Sequence, residues 1–255
     1  MYSKELELAG RLADTASNII MSYFREPLQA ITKEDLTPVT IADREAEQAM
    51  RTLIEETFPN HGILGEEFEN NNIDAQYVWA LDPIDGTKSF ITGTPLFGTL
   101  VSLLKDGLPV IGIINMPALN ERWVGCEGSP TLFNGKSVQA RPCSGIGDAW
   151  LYATSPHMFL GDDFTAFERV RKQAHSTLYG TDCYAYGLLA NGGCDLVIES
   201  SMGIYDFCAL VPIINGAGGY MVDWQGKRLG LQSDGRVIAA GEQALAEKVC
   251  DLLDR

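Results

Sequence analysis

Residues Leu81 to Phe90 read Leu-Asp-Pro-Ile-Asp-Gly-Thr-Lys-Ser-Phe. They set two carboxylates, Asp82 and Asp85, three residues apart at the end of an apolar run, Tyr77 to Leu81, that has the character of a β-strand. Pro83 stiffens the link between them by fixing its own φ near −65°. Gly86 and Thr87 then open a short helix whose first backbone N–H groups have no partner inside it. Two hard oxygen ligands on one rigid turn suit Mg²⁺, and helix-start amides suit a phosphate. A fold carrying this segment must bring a strand end, a turn and a helix start to one point.

Competing readings are an acidic turn, since Asp, Pro, Gly and Thr are ordinary turn formers, and the aspartyl-phosphate phosphatases. The latter place nucleophile and general acid two residues apart, and a spacing of three breaks that geometry. A cysteine phosphatase needs an Arg six residues after its Cys, and none of the six cysteines has one.

The chain has 255 residues, 45% of them hydrophobic, which indicates a globular protein with a full core. No apolar run approaches the ~20 residues needed to cross a bilayer. Met1-Tyr2-Ser3-Lys4-Glu5 reads as the lead into a helix, not a signal sequence. The cysteines lack paired spacing and read as reduced core residues of a cytoplasmic protein. A net charge of −15 repels nucleic acid and anionic membranes. It does not exclude an anionic substrate, because bound cations reverse the sign locally.

Helical spacing of apolar residues runs from Leu6 to Phe24 and from Ile41 to Phe58. Gln29 to Pro38 reads as a loop between them, and Thr40 with Asp43 resembles a capping box. Strands follow: Phe97 to Leu104 and Leu108 to Met116 as an antiparallel hairpin, then Arg122 to Cys126 and Thr131 to Ala140, with Asn134-Gly135 as a turn. The Gly-, Ser- and Pro-rich stretch Pro142 to Asp148 marks a boundary, dividing the chain into 1–145 and 146–255. Beyond it, strands at Trp150 to Thr154, Asp195 to Glu199, Tyr220 to Asp223 and Arg236 to Ala240 alternate with helices. Those helices span Asp163 to Ala174, Cys183 to Asn191, Asp206 to Asn215 and Glu242 to Leu253. Asn134-Gly135-Lys136-Ser137 echoes a P-loop, but Pro130 stands where that motif needs Gly, so a hairpin turn is the reading. The three histidines are too scattered for a metal site or triad.

Mg²⁺ demands near-octahedral coordination, so two aspartates are not enough. Glu66 follows a short apolar run and a Gly, and Asp206 starts a strongly apolar helix. Each can be a ligand; Asp206 can equally be an N-cap.

Gly65-Glu66-Glu67, Asp82-Pro-Ile-Asp-Gly-Thr87 and Tyr205-Asp206 followed by Gly216-Ala-Gly-Gly219 have the order and spacing of the inositol monophosphatase family. The chain resembles that family over nearly its whole length. The resemblance implies an α/β fold, a layered αβαβα sandwich with an N-terminal helix pair, and a homodimer. It implies that Glu66, Asp82 and the Ile84 carbonyl hold one Mg²⁺, that Asp82, Asp85 and Asp206 hold a second, and that a weaker third ion sits near Glu66. Gly86 and Thr87 would offer N–H groups to the phosphate. Thr87, hydrogen-bonded to Asp43, would help deprotonate the attacking water, with Glu66 also catalytic. Mg²⁺ is the cofactor so implied, with Mn²⁺ possible, and the substrate is a small phosphorylated metabolite.

Three departures bear on the substrate. Lys88-Ser89 replaces the usual Thr-Asn, Tyr205-Asp206 replaces Trp-Asp, and Gly180-Thr181-Asp182-Cys183-Tyr184-Ala185-Tyr186 carries an acidic residue where inositol enzymes have a small one. These segments are most similar to the histidinol-phosphatases of the family, which act in histidine biosynthesis. Histidinol phosphate carries an ammonium and an imidazole, so Asp182 and Glu199, with Asp206 beside them, would bind its cationic end by charge-assisted hydrogen bonds. Asp182 can instead cap the helix starting near Cys183, and Tyr184 or Tyr186 can stack on the ring or fill core. Inositol phosphates, 3′(2′),5′-bisphosphate nucleotides and sugar phosphates remain alternative substrates. A regulatory binding protein on the same fold is an alternative of another class.

Overall fold

The computed structural model describes residues 2–26, 31–32, 38–39 and 41–254. The loop read over Gln29 to Pro38 and the Thr40 half of the capping box lie mostly outside the described residues. Of that stretch, β1 (Ile31–Thr32) and β2 (Pro38–Val39) pair antiparallel.

Helix α1 (Ser3–Tyr23) buries Leu8, Leu12, Ala16 and Ile20, the stripe its periodicity predicts. Helix α2 (Ile41–Thr57) buries Ala42, Ala46, Met50 and Ile54, and with them Asp43, Glu47 and Arg51. The pair covers one face of a seven-stranded sheet, packing on Trp79, Leu81, Val101, Leu103 and Ile111. That sheet is formed by β3 (Gly62–Gly65), β4 (Tyr77–Asp85), β5 (Gly98–Lys105), β6 (Leu108–Met116), β7 (Glu121–Cys126), β8 (Leu132–Phe133) and β9 (Lys136–Ser137), in chain order. All its pairings are antiparallel except β3 with β4, a parallel edge that hairpin signals do not announce. Two hairpins close through Asp106-Gly107 (φ 50° and 80°) and Asn134-Gly135 (φ 46° and 78°), as a type I′ turn requires.

The other face of this sheet meets a central layer of α5 (Tyr184–Ala190), α6 (Ile204–Phe207) and α7 (Leu210–Gly216). Contact there is close: a Cβ on Gly112 would lie 1.9 Å from the Ala209 carbonyl oxygen. The expected single helix from Asp206 to Asn215 is in fact α6 and α7. Pro212 has no N–H to give the carbonyl of residue 208, so one hydrogen-bond ladder cannot run through both.

Beyond the central layer lies a five-stranded sheet of β10 (Trp150–Ala153), β11 (Ser176–Tyr179), β12 (Leu196–Glu199), β13 (Tyr220–Val222) and β14 (Val237–Ala240). Its strand order is β11-β10-β12-β14-β13. Helices α4 (Asp162–Arg171) and α8 (Gln243–Leu253) close its outer face. The result is the expected αβαβα sandwich. Strand β11 escaped the sequence reading because it is a half-exposed edge strand with no alternation between buried and open positions.

Candidate active site

The Asp82–Asp85 segment is not the free turn that its composition suggests. Strand β4 continues through Asp82-Pro83-Ile84-Asp85, pairing Asp82 with Leu100 and Asp85 with Gly98, so one extra residue bulges from β4. The bulge lets Pro83 sit in a strand without breaking the ladder. Thr99 Oγ1 fixes it by donating to the Pro83 carbonyl at 2.8 Å. Asp206 arrives from α6, where its Oδ2 accepts the Gly203 N–H at 2.7 Å. It is therefore a helix cap and a site residue at once. Asp82, Asp85 and Asp206 each present a carboxylate oxygen, all within 4.8 Å of one another.

Burial, and then the charges of Glu66, Asp85, Asp206 and Asp43, hold the Asp82 carboxyl well above the usual range. Burial and then Asp182 and Asp206 push Asp85 up against the opposing Cys183 N–H. Asp206 is raised to about 7, by burial first and Glu66 next. Asp82 Oδ1 is buried with no hydrogen-bond donor. Hard, crowded, buried oxygens that repel one another fit a divalent cation.

A second group adjoins the first. Asp43 at the start of α2 and Glu66 and Glu67 just after β3 also place oxygens within 4.8 Å of one another. Glu66 is near enough to raise both Asp82 and Asp206, so the groups form one acidic field. Sequence reasoning named Asp43 and Glu66 here but missed Glu67, whose signal was only its place as the second Glu of Gly-Glu-Glu.

Gly86, with φ 83°, turns the chain into α3 (Thr87–Ile91). Its N–H and that of Thr87 belong to the first turn and lack intrahelical partners. Thr87 Oγ1 donates to the Ile84 carbonyl at 3.0 Å. A hydroxyl has one proton, so donation to Asp43, which the resemblance implies, has to displace this bond.

On the opposite side, Asp85, Asp182, Glu199 and Asp206 line one cavity of about 110 Å³, together with Thr154, Tyr186, Met158 and Met202. Asp182 has φ 44°. Its carboxylate approaches Gly86 closely enough that a Cβ there would lie 3.1 Å from Oδ2. Burial raises it to about 6, with Ser89 and Lys88 opposing. Asp182 does not cap α5. The Cys183 N–H at the start of that helix goes to Asp85 Oδ2 at 2.7 Å instead. Glu199 accepts the Thr154 N–H at 2.7 Å and the Tyr186 hydroxyl at 2.8 Å, and burial lifts it to about 7 against both bonds. Tyr186 is thus a core residue with its hydroxyl committed, not a stacking platform, and Tyr184 packs edge-on to Trp123.

A larger cavity of about 440 Å³ lies apart from these carboxylates, between Leu108, Cys126, Val211 and Arg228. His61 is structural, stacked on Phe58 and accepting the Trp79 indole N–H at 3.1 Å. All six cysteines are unpaired thiols. No described helix is long and apolar enough to cross a membrane.

The model of the inositol monophosphatase family matches residues 1–255. The chain is 47% identical over 252 residues to the bifunctional phosphatase IMPL2, chloroplastic, of Arabidopsis thaliana, covering 95% of this chain and 73% of that protein. It is 35% identical to a histidinol-phosphatase of Chlorobaculum parvum, covering 92% of each. A solved inositol monophosphatase from Zymomonas mobilis is 48% identical and superposes with a TM-score of 0.92, over 100% of this chain and 99% of that one. With this fold and carboxylate field, the chain belongs to the inositol monophosphatase family of metal-dependent phosphatases, hydrolases of small phosphorylated metabolites.

Proposed function

We propose that this phosphatase is Mg²⁺-dependent and hydrolyses histidinol phosphate to histidinol and phosphate. The observation that carries the substrate assignment is the convergence of Asp182, Glu199 and Asp206 with Asp85 on one cavity. A leaving group with an ammonium and an imidazole finds charge-assisted acceptors there. A neutral polyol finds acceptors for its hydroxyls but nothing for their oxygens among those carboxylates when they are ionised.

The donor set supports Mg²⁺, with Mn²⁺ as substitute, because every candidate ligand is a hard oxygen: Glu66, Asp82, Asp85, Asp206 and the Ile84 carbonyl. When bound, the metal supplies Lewis-acid polarisation of the phosphoryl group and charge neutralisation. The protein's own groups do the rest. The Gly86 and Thr87 N–H groups receive the phosphate oxygens at the start of α3. The Thr87 hydroxyl gives up its bond to the Ile84 carbonyl and passes its own proton to Asp43 as it accepts one from the attacking water, and Glu66 orients that water. Water oxygen bonds to phosphorus as the bond from phosphorus to the ester oxygen breaks. That oxygen departs with the electron pair and takes a proton from a solvent water to leave as the alcohol, and the hydroxide so formed is neutralised by the proton held at Asp43. Asp182 and Glu199 hold the cationic end of that alcohol.

Inositol phosphate is the second reading, favoured by the solved relative from Zymomonas mobilis described as an inositol monophosphatase. Phosphate release from histidinol phosphate, inositol 1-phosphate, adenosine 3′,5′-bisphosphate and fructose 1,6-bisphosphate, at equal Mg²⁺, separates these. The highest kcat/KM is expected on histidinol phosphate. A higher value on inositol 1-phosphate would replace the assignment with the second reading.

A further inference from the structure

Behind Glu66 stands a buried ion pair that none of these steps uses. Glu47 lies on α2 one helical turn after Asp43 and one before Arg51, so the three share a helix face. Its side chain is 0% exposed. Its Oε1 accepts from Arg51 Nε at 2.7 Å, and its Oε2 accepts the backbone N–H of Glu67 at 2.7 Å. Arg51 passes the contact on, donating to the Phe68 carbonyl at 3.2 Å. The approach is so tight that a Cβ on Gly65 would fall 2.0 Å from Glu47 Oε1.

The turn carrying Glu66 is thus held on both sides: by van der Waals closeness at Gly65, and by hydrogen bonds at the N–H of Glu67 and the carbonyl of Phe68. A buried ion pair is in itself a weak source of stability, because desolvating both charges offsets most of their attraction. This pair spends its remaining hydrogen-bonding capacity on the backbone of one functional turn. The carboxylates of Asp43, Glu66 and Glu67 lie within 4.8 Å of one another and repel, so a loosely held turn would swing Glu66 away from its neighbours.

We propose that Glu47 is a positioning residue for metal binding: with Arg51 it fixes the Gly65–Phe68 turn so that the Glu66 carboxylate stays beside those of Asp82 and Asp43. The proposal rests on the reading of Glu66 as a metal ligand. Outer groups that orient metal ligands typically change metal affinity by about 10- to 100-fold, and Glu47 is expected to act in that range.

The test is calorimetric titration of Mn²⁺ alone into the metal-stripped full chain, comparing wild type with Glu66→Gln, Glu47→Gln, Glu47→Asp and Leu245→Ala. Glu66→Gln identifies the ion that depends on Glu66. Glu47→Gln should weaken that same ion by roughly 10- to 100-fold. Leu245 is fully buried in the core between the second sheet and α8, so Leu245→Ala should lower the melting temperature and leave Mn²⁺ affinity alone. Should Glu47→Gln not fold, Glu47→Asp keeps the charge but draws the carboxylate back by one methylene from the Glu67 N–H, with about tenfold weaker binding expected. Weakening in Glu66→Gln together with wild-type affinity in the folded Glu47 variant would overturn the inference. Unchanged Mn²⁺ binding in Glu66→Gln would instead overturn the ligand reading beneath it.

Discussion

Asp82 and Asp195 are equally buried, each 2% exposed, yet the protein treats them in opposite ways. Asp195 lies beside β12 in the second sheet. Arg141 grips it with both arms, at 2.6 and 2.7 Å, and the Trp150 N–H adds a third bond at 2.8 Å. Burial pushes its carboxyl up, but the Arg141 and Trp150 bonds outweigh that and hold it below the usual range. Asp82, in the first sheet, faces other carboxylates, and both burial and those neighbours raise it. The difference is the source of the counter-charge. Where the chain supplies an arginine, the carboxylate is paired within the fold; where it supplies more carboxylates, the repulsion is left for a cation from solution to relieve, as the proposed metal site requires. Within a chain of net charge −15, that contrast separates working acid from ordinary acid better than composition does.

The contrast breaks most visibly at Asp82. If Asp82 is a ligand as proposed, Asp82→Asn should lower kcat by more than about a hundredfold, beyond the 10- to 100-fold typical of groups that only support a ligand. EDTA should do the same to wild type, with Mg²⁺ restoring turnover. Full activity in metal-stripped buffer would end the assignment of this site. The metal-free Asp82→Asn protein should also melt higher than metal-free wild type, because one repelling, buried charge is gone.

Asp182→Asn comes next. Losing one charge-assisted bond costs about 1.5–3 kcal/mol, or roughly ten- to a hundredfold in kcat/KM. The loss is expected on histidinol phosphate and not on inositol 1-phosphate, with the melting curve nearly unchanged, since Asp85 and not Asp182 accepts the Cys183 N–H at the start of α5. Equal losses on both substrates would remove Asp182 from substrate recognition.

Asp195→Asn should behave oppositely to Asp82→Asn. Activity at saturating Mg²⁺ should be retained, while stability falls by about 1–3 kcal/mol as Arg141 loses its charged partner. Denaturant unfolding measures this, and a stabilised Asp195→Asn would erase the distinction drawn here.

The smallest effect is a pH dependence at Glu199, raised in the fold from its ordinary 4.5 to about 7. An acid held above its ordinary value contributes stability that is complete below 4.5 and is lost as pH rises through about 7. Glu199→Gln should therefore flatten part of the decline in melting temperature between pH 5 and 8. Recognition should run the other way: the ratio of kcat/KM for histidinol phosphate to that for inositol 1-phosphate should rise through pH 7 in wild type and level off in Glu199→Gln. An unaltered pH profile in the variant would place the titration elsewhere.

Much of this protein was legible without coordinates, and always for a local reason. The stripes of α1 and α2 follow from 3.6-residue periodicity, and Asp106-Gly107 and Asn134-Gly135 close hairpins because few other residue pairs accept two positive φ values. Asp82, Asp85, Gly86 and Thr87 suggest a metal and phosphate site from sequence because the residue types suited to one stand within six consecutive positions. What escaped was set by packing between distant segments. The bulge in β4 depends on its register with β5, and the parallel β3 edge on how the chain returns to the sheet. Asp85 accepts the N–H of Cys183, 98 residues away, at the cap of α5. Glu47 has no local signal for its role, and only the fold shows its carboxylate against Gly65 and bonded to the Glu67 N–H. The sequence by itself determined which carboxylates exist and which local turns hold them. Tertiary structure decided which meet an arginine and which meet one another, because burial and Coulomb fields act through space and follow no spacing along the chain.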